Sequence, residues 1–211
     1  MLNETKDPLP VAERVVGVRL ESPLVGAADL VKAQEGRASK AFAVRELPFR
    51  DLVNVRGELS DPAFVAAFAS VVGCEPPAAP NTVAHSEHYD VLWLGPDEWL
   101  VRSLAPVQTG MLEAKLTAVL GDAYAAAVDI GSGNTVIEIE GTRARDVLSR
   151  GCPLDLHPRL FKPGQCAQSV YFKASIALIP TGDDRFEIVV RRSFADYFCR
   201  IMVDAAASVA P

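Results

Sequence analysis

The chain has 211 residues, 49 % of them apolar, and a formal net charge of -6. That is ample apolar material for a sizeable core, and an acidic balance lacks the basic stripe a nucleic-acid binder needs. No apolar run reaches the roughly 20 residues of a membrane-spanning helix, and the start, Met1 to Pro8, has no basic-then-apolar leader, so the expected location is the cytoplasm.

Charge is unevenly spread, with 11 basic against 20 acidic side chains in residues 1–140 and 10 against 7 in residues 141–211. Residues 1–45 mix charges, Pro8, Pro10 and Pro23 with short apolar pieces such as Val15-Val16-Gly17-Val18. This reads as an extended N-terminal arm lying along another surface.

From Leu52 a strand runs to Arg56, and after Gly57 the Asp61-Pro62 pair starts a helix by cap and first-turn proline. Phe64, Val65, Phe68, Val71 and Val72 recur at helical spacing, and Gly73 ends the helix. A proline loop follows. Then Leu92-Trp93-Leu94 and Trp99-Leu100-Val101 face each other across Gly95-Pro96-Asp97-Glu98, which predicts a hairpin from about Tyr89 to Ser103 with Trp93 and Trp99 on one face or in its core. A second helix is predicted from about Pro106 to Leu120, closed by Gly121.

The pattern then restarts. Thr135 to Glu140 alternates as a strand, Gly141 breaks it, and a helix from Thr142 to Arg150 ends at Gly151. A proline-bearing loop over 152–165 leads to a strand or strand pair from Ala167 to Ile179. A turn at Thr181-Gly182-Asp183-Asp184 and a strand from Arg185 to Arg192 follow. Ser193 with Asp196 resembles a capping box for a last helix from Phe194 to about Ala207. Gly57 matches Gly141, Gly73-Cys74 matches Gly151-Cys152, and the two acidic turns match each other. The prediction is an α+β fold of two duplicated strand-helix-strand-strand-helix lobes in one subunit, an arm over 1–45, a first lobe over 46–122 and a second over 123–211.

Candidate chemistry is sparse. Cys74, Cys152, Cys166 and Cys199 form no Cys-x-x-Cys pair and read as reduced, partly buried thiols. His85 and His88 lie three apart in a loop without a third ligand nearby, so they read as surface residues, and His157 reads as a turn-fixing residue. Asp129-Ile130-Gly131-Ser132-Gly133-Asn134 invites a phosphate-loop reading, but a strand follows it where a helix is required, so a connection between strands is favoured. Arg191-Arg192-Ser193 has the chemistry of an anion clamp at a helix start, although solvent or an acidic partner is the preferred reading. The pairs Asp97/Glu98 and Asp183/Asp184 fit turn chemistry better than acid-base work, because neighbouring strand residues point to opposite faces. No catalytic, cofactor-binding or metal residue is assigned.

Several motifs in order carry a resemblance from about Arg45 to the C-terminus. They are Pro80-Asn81-Thr82-Val83, Leu94 to Val101, Gly151 to Pro158, Gly164-Gln165-Cys166-Ala167-Gln168 and Arg191 to Tyr197. Together they resemble the gamma subunit of bacterial heterotetrameric sarcosine oxidase. The resemblance implies a non-catalytic accessory subunit in a complex with alpha, beta and delta subunits. That complex demethylates sarcosine to glycine with tetrahydrofolate and dioxygen, giving 5,10-methylene-tetrahydrofolate and hydrogen peroxide. It further implies that FAD, FMN, NAD, zinc and tetrahydrofolate belong to other subunits, and a fold similar to the folate-binding part of glycine-cleavage aminomethyltransferases. Lys162-Pro163-Gly164-Gln165-Cys166 departs from the Lys-Gly-Cys-Tyr-x-Gly-Gln-Glu motif of those folate-binding relatives. The alternatives are a stand-alone aminomethyltransferase-like or assembly protein, and a metal-binding protein using His85, His88 and the cysteines.

Overall fold

The computed structural model describes residues 21–27, 41–106 and 110–209, so most of the expected arm, including Val15 to Val18, lies outside the described residues. In chain order the strands are β1 (Ala43–Leu47), β2 (Leu52–Arg56), β3 (Val83–His85), β4 (Tyr89–Gly95), β5 (Glu98–Ser103), β6 (Ala126–Asp129), β7 (Asn134–Glu140), β8 (Ala167–Tyr171), β9 (Ala174–Gly182) and β10 (Arg185–Arg191). The helices are α1 (Pro62–Val72), α2 (Met111–Leu120), α3 (Ala144–Ser149) and α4 (Ala195–Val209).

Two antiparallel five-stranded sheets form, ordered β3-β4-β5-β2-β6 and β8-β9-β10-β7-β1. Written this way the orders correspond strand for strand, as duplication predicts, except that the fifth strand reaches each sheet from a different side of the sequence. β6 follows α2 and pairs with β2, whereas β1 precedes the whole first sheet and pairs with β7. This differs from the boundaries expected at 45/46 and 122/123. β1 straddles the first boundary and belongs with the second lobe, and β6 lies beyond the second boundary and belongs with the first. An edge strand is held by backbone hydrogen bonds, so a short mixed segment such as Ala43-Val44-Arg45-Glu46-Leu47 carries little side-chain signal of which sheet it joins.

Strict alternation along each strand sorts the side chains into three apolar layers. Trp99 and Val101 of β5 face α1 and α2, where Phe64, Phe68, Val72, Leu112 and Leu116 meet them. Leu100, one residue on, faces the other sheet together with Leu52, Leu92, Val136, Ile179 and Val189. The remaining face of the second sheet, with Ile137, Ile139, Ile176, Leu178 and Ile188, packs on α3 and α4. The order of layers is thus helices, sheet, sheet, helices. Each fully buried Phe or Leu contributes roughly 1.5–3 kcal/mol of apolar transfer free energy, and these layers hold the two lobes face to face.

Local signals behave largely as expected. The Asp61 carboxylate accepts from the Ala63 amide at 2.9 Å, Pro62 opens α1, and Gly73 closes it with φ +85°. Trp93 and Trp99 are direct cross-strand partners on the helix-facing side, and the buried Trp99 indole donates to the Pro77 carbonyl at 2.9 Å. The matched glycines act alike: the Gly57 amide donates to the Asp97 carbonyl and the Gly141 amide to the Asp184 carbonyl, each tying a strand end to its acidic turn. Ser193 is not a cap. Arg192–Phe194 is a 3₁₀ turn running directly into α4, without a side-chain cap bond, and Phe194 is partly exposed. The second helix begins at Met111, later than expected. No helix among the described residues is long and apolar enough to cross a membrane.

Candidate functional site

The acidic turns are structural in their contacts. Glu98 accepts from Asn54 Nδ2 at 2.8 Å and from Arg56 Nη2 at 2.7 Å, with Asp97 at 3.5 Å from Arg56. Asp183 and Asp184 are exposed and use their backbone carbonyls, toward Arg145 Nε and the Gly141 amide. His157 accepts from the Arg159 amide through Nδ1, while its own amide donates to Asp155, a turn-fixing arrangement. His88 is exposed, whereas His85 sits on β3 with Nδ1 at 2.7 Å from Asp90 Oδ1. No group of three or more potential metal ligands occurs among the described residues. All four cysteines are free thiols. Burial pushes Cys166 up to about 11 and Cys199 up to about 12, which leaves both protonated and poorly nucleophilic at neutral pH.

The largest departure from a plain apolar core is a set of charges between the two sheets. Arg102, alternating with Leu100 on the inward face of β5, is 2 % exposed and is held between Asp90 of β4 and Glu187 of β10. Glu187 stands opposite Glu138 in the β10–β7 register, and Arg45 of β1 reaches Glu138 Oε1 at 2.6 Å. Like charges directly opposite repel, so the paired glutamates depend on the two arginines. A charged residue within the apolar run Trp99-Leu100-Val101-Arg102 was the signal available in the sequence; its partners were not.

At the edge of this layer, where the chain crosses twice between the sheets, lies a cavity of about 350 Å³. One wall is the β1–β2 connection with Pro48, Phe49 and Arg50, another is the Asp129–Asn134 connection, and Ser22 and Arg192 complete the rim. The Asp129–Asn134 segment does connect two strands, β6 and β7, through a 3₁₀ turn. Its glycine amides are occupied, Gly131 by Asp129 Oδ1 at 2.7 Å and Gly133 by the Ile130 carbonyl. The fold brings that segment and Arg192 together. Arg50 joins them, with Nε and Nη1 buried and without a hydrogen-bond partner among the described residues; burial, then the nearby Arg102, shifts its guanidinium below the usual range, with Glu138 opposing. Phe49 beside it has φ +57°, a left-handed conformation that costs of order 1 kcal/mol for a non-glycine residue.

Two packed α+β lobes with matching strand order define the class to which this chain belongs. A solved aminomethyltransferase T of the glycine cleavage system from Bartonella henselae shares that fold, with TM-score 0.58 over 82 % of this chain and 48 % of the other at 13 % identity.

The model of the sarcosine oxidase, gamma subunit family matches residues 56–208, and the chain belongs to that family. It is 34 % identical to the sarcosine oxidase subunit gamma of Corynebacterium sp. (strain P-1) over 83 % of this chain and 85 % of that one. Against its counterpart in Arthrobacter sp the identity is 33 %, over 81 % and 83 %. A chain of the solved heterotetrameric sarcosine oxidase from Corynebacterium sp. U-96, in complex with pyrrole 2-carboxylate, superposes with TM-score 0.81. It is 29 % identical, with coverage of 91 % of this chain and 97 % of that one.

Proposed function

We propose that this chain is the accessory, non-catalytic subunit of a heterotetrameric sarcosine oxidase, assembling with alpha, beta and delta subunits. The carrying observation is the superposition with a chain of such an oxidase over 97 % of that chain's length, which leaves little of either chain for a different task. In this reading the oxidase converts sarcosine, tetrahydrofolate and dioxygen to glycine, 5,10-methylene-tetrahydrofolate and hydrogen peroxide in the cytoplasm. FAD, FMN, NAD, zinc and tetrahydrofolate are held by other subunits. Residues 1–20 act as an arm against a partner, whereas Leu24 and Ala27 pack in this chain's own second lobe, and the two lobes, with β1 counted in the second and β6 in the first, are organising units of one body. The interior Arg102–Glu187 ion pair supports a scaffolding role, since it occupies charged side chains in joining the lobes.

The test is co-expression with the three other subunits from the same source, followed by size-exclusion chromatography with light scattering and a peroxide-release assay. The expected result is a complex with one copy of this chain, lost when the chain is omitted. The reading fails if the other three assemble and turn over sarcosine equally well without it. Calorimetry with tetrahydrofolate tests the stand-alone alternative, which requires tight binding by this chain alone.

A further inference from the structure

We propose that the outer edge of β6 takes an added strand, an extended segment of another subunit of the oxidase that is apolar where it pairs and carries Lys or Arg beside that stretch. The inference rests on the accessory-subunit reading and names a surface through which that role is carried out.

The backbone supplies the first observation. The Ile130 amide donates to the Leu52 carbonyl at 2.8 Å, so this is a hydrogen-bonded pair, and the antiparallel register makes Asn54–Val128 and Arg56–Ala126 the next two. The other side of β2 agrees: the Ser103 amide donates to the Asp51 carbonyl and the Gly57 amide to the Asp97 carbonyl, which turns Val53 and Val55 toward β5. Ala127 and Asp129 therefore point their amides and carbonyls away from β2, and these four groups have no partner among the described residues. The opposite edge of the same sheet is closed. There the Val83 amide donates to the Gly164 carbonyl and the Cys166 amide to the Asn81 carbonyl, stitching the start of β3 to the residues before β8.

The side chains supply the second. Edge strands are normally guarded by a charge, a proline or a bulge, and Ala126-Ala127-Val128 has none of these. Val128 is 54 % exposed, and Tyr124, just before the strand, is 92 % exposed. Tyrosine is among the side chains that most often anchor an interface.

Charge selects the occupant. Residues 50–129 carry 11 acidic against 4 basic side chains. A recess of about 460 Å³ at the start of β6 is lined by Arg56, Glu58, Asp97 and Tyr124, and Arg56 is already taken by Glu98 at 2.7 Å, so carboxylate charge is in excess there. A second copy pairing β6 with β6 would bring two such acidic rims together. A segment flanked by Lys or Arg is instead attracted, and the Tyr124 ring offers its cation a face.

The experiment compares the free full-length chain with the complex recovered after co-expression with the three other subunits, by hydrogen exchange read at single amides. The Ala127 and Asp129 amides are expected to exchange about a hundredfold or more slower in the complex. Ala127→Pro removes an outward amide that β2 does not use, and is expected to cut recovery of complex about tenfold. Tyr124→Ala and Glu58→Lys change exposed side chains, so they test the surface even if Ala127→Pro impairs folding; each is expected to lower recovery several-fold. If the wild-type chain joins no complex, the accessory-subunit reading falls and this proposal with it. If it joins but the two amides gain no protection, or Ala127→Pro and Tyr124→Ala are recovered as well as wild type, this proposal alone is overturned. It is also overturned if the free chain is a dimer with both amides already protected; the occupant is then a second copy.

Discussion

Arg102 of β5 and Glu187 of β10 form an ion pair that crosses from one sheet to the other, so the two lobes are joined by a buried charge contact as well as by apolar packing. Asp90 holds the other side of the same guanidinium. A pair of this kind contributes little net stability against an apolar replacement, but breaking it strands a charge. Its value here is registry: Arg102 meets both acids in one relative placement of the sheets.

Arg102→Met is therefore expected to lower stability by about 3–5 kcal/mol, because Asp90 and Glu187 stay buried without their cation. The urea midpoint measures this. The triple change Arg102→Met, Asp90→Asn, Glu187→Gln should recover at least half of the loss, and no recovery would show that packing, not stranded charge, dominates.

Asp51, buried at the start of β2, is pushed up to about 6, first by burial and then by Asp129, with Lys115 opposing. Its folded-state value lies above its unfolded one of about 4, so the stabilising contribution of the protonated form is complete below pH 4 and lost as pH rises through 6. At pH 7 the ionised carboxylate costs of order 2 kcal/mol. Asp51→Asn should raise the melting temperature at pH 7 and leave it nearly unchanged at pH 4. Equal shifts at both pH values would remove the carboxylate as the cause.

Gly141 has φ +124°, and a Cβ there would lie 2.5 Å from the Ala41 carbonyl oxygen, a backbone atom that cannot step aside. Gly141→Ala is expected to cost at least about 2 kcal/mol and to loosen β1 from β7, seen as faster amide exchange at Val44 and Ile139. At the matched Gly57 the obstruction is the Phe64 ring, at 2.4 Å. Gly57→Ala should therefore act through α1 and leave exchange on β1 unchanged.

Trp99 fills the space between its sheet and α1, with its ring 5.7 Å from that of Phe64. Trp99→Ala removes this volume and leaves the Pro77 carbonyl without its donor, for an expected loss of about 3–5 kcal/mol. Soluble yield and recovery of the assembled complex should fall together, with specific activity of the complex that does form unchanged.

Residue pattern alone determined the repeating parts of this protein. The alternation of Leu52 to Arg56, Trp99 to Arg102 and Thr135 to Glu140 assigns each side chain to a face, and the acidic turns and Gly-Cys helix ends show that the unit occurs twice, because these signals act over a few residues. Tertiary structure decided what distant segments do to each other. β1 joins the second sheet and β6 the first through backbone pairing that is nearly indifferent to side chains. Arg102 finds Glu187 only when the sheets face, and Arg50, Ser132 and Arg192 share a cavity only because the chain crosses between lobes beside the start of α4. Periodicity tells a residue which way to point; only the packed fold supplies what it points at.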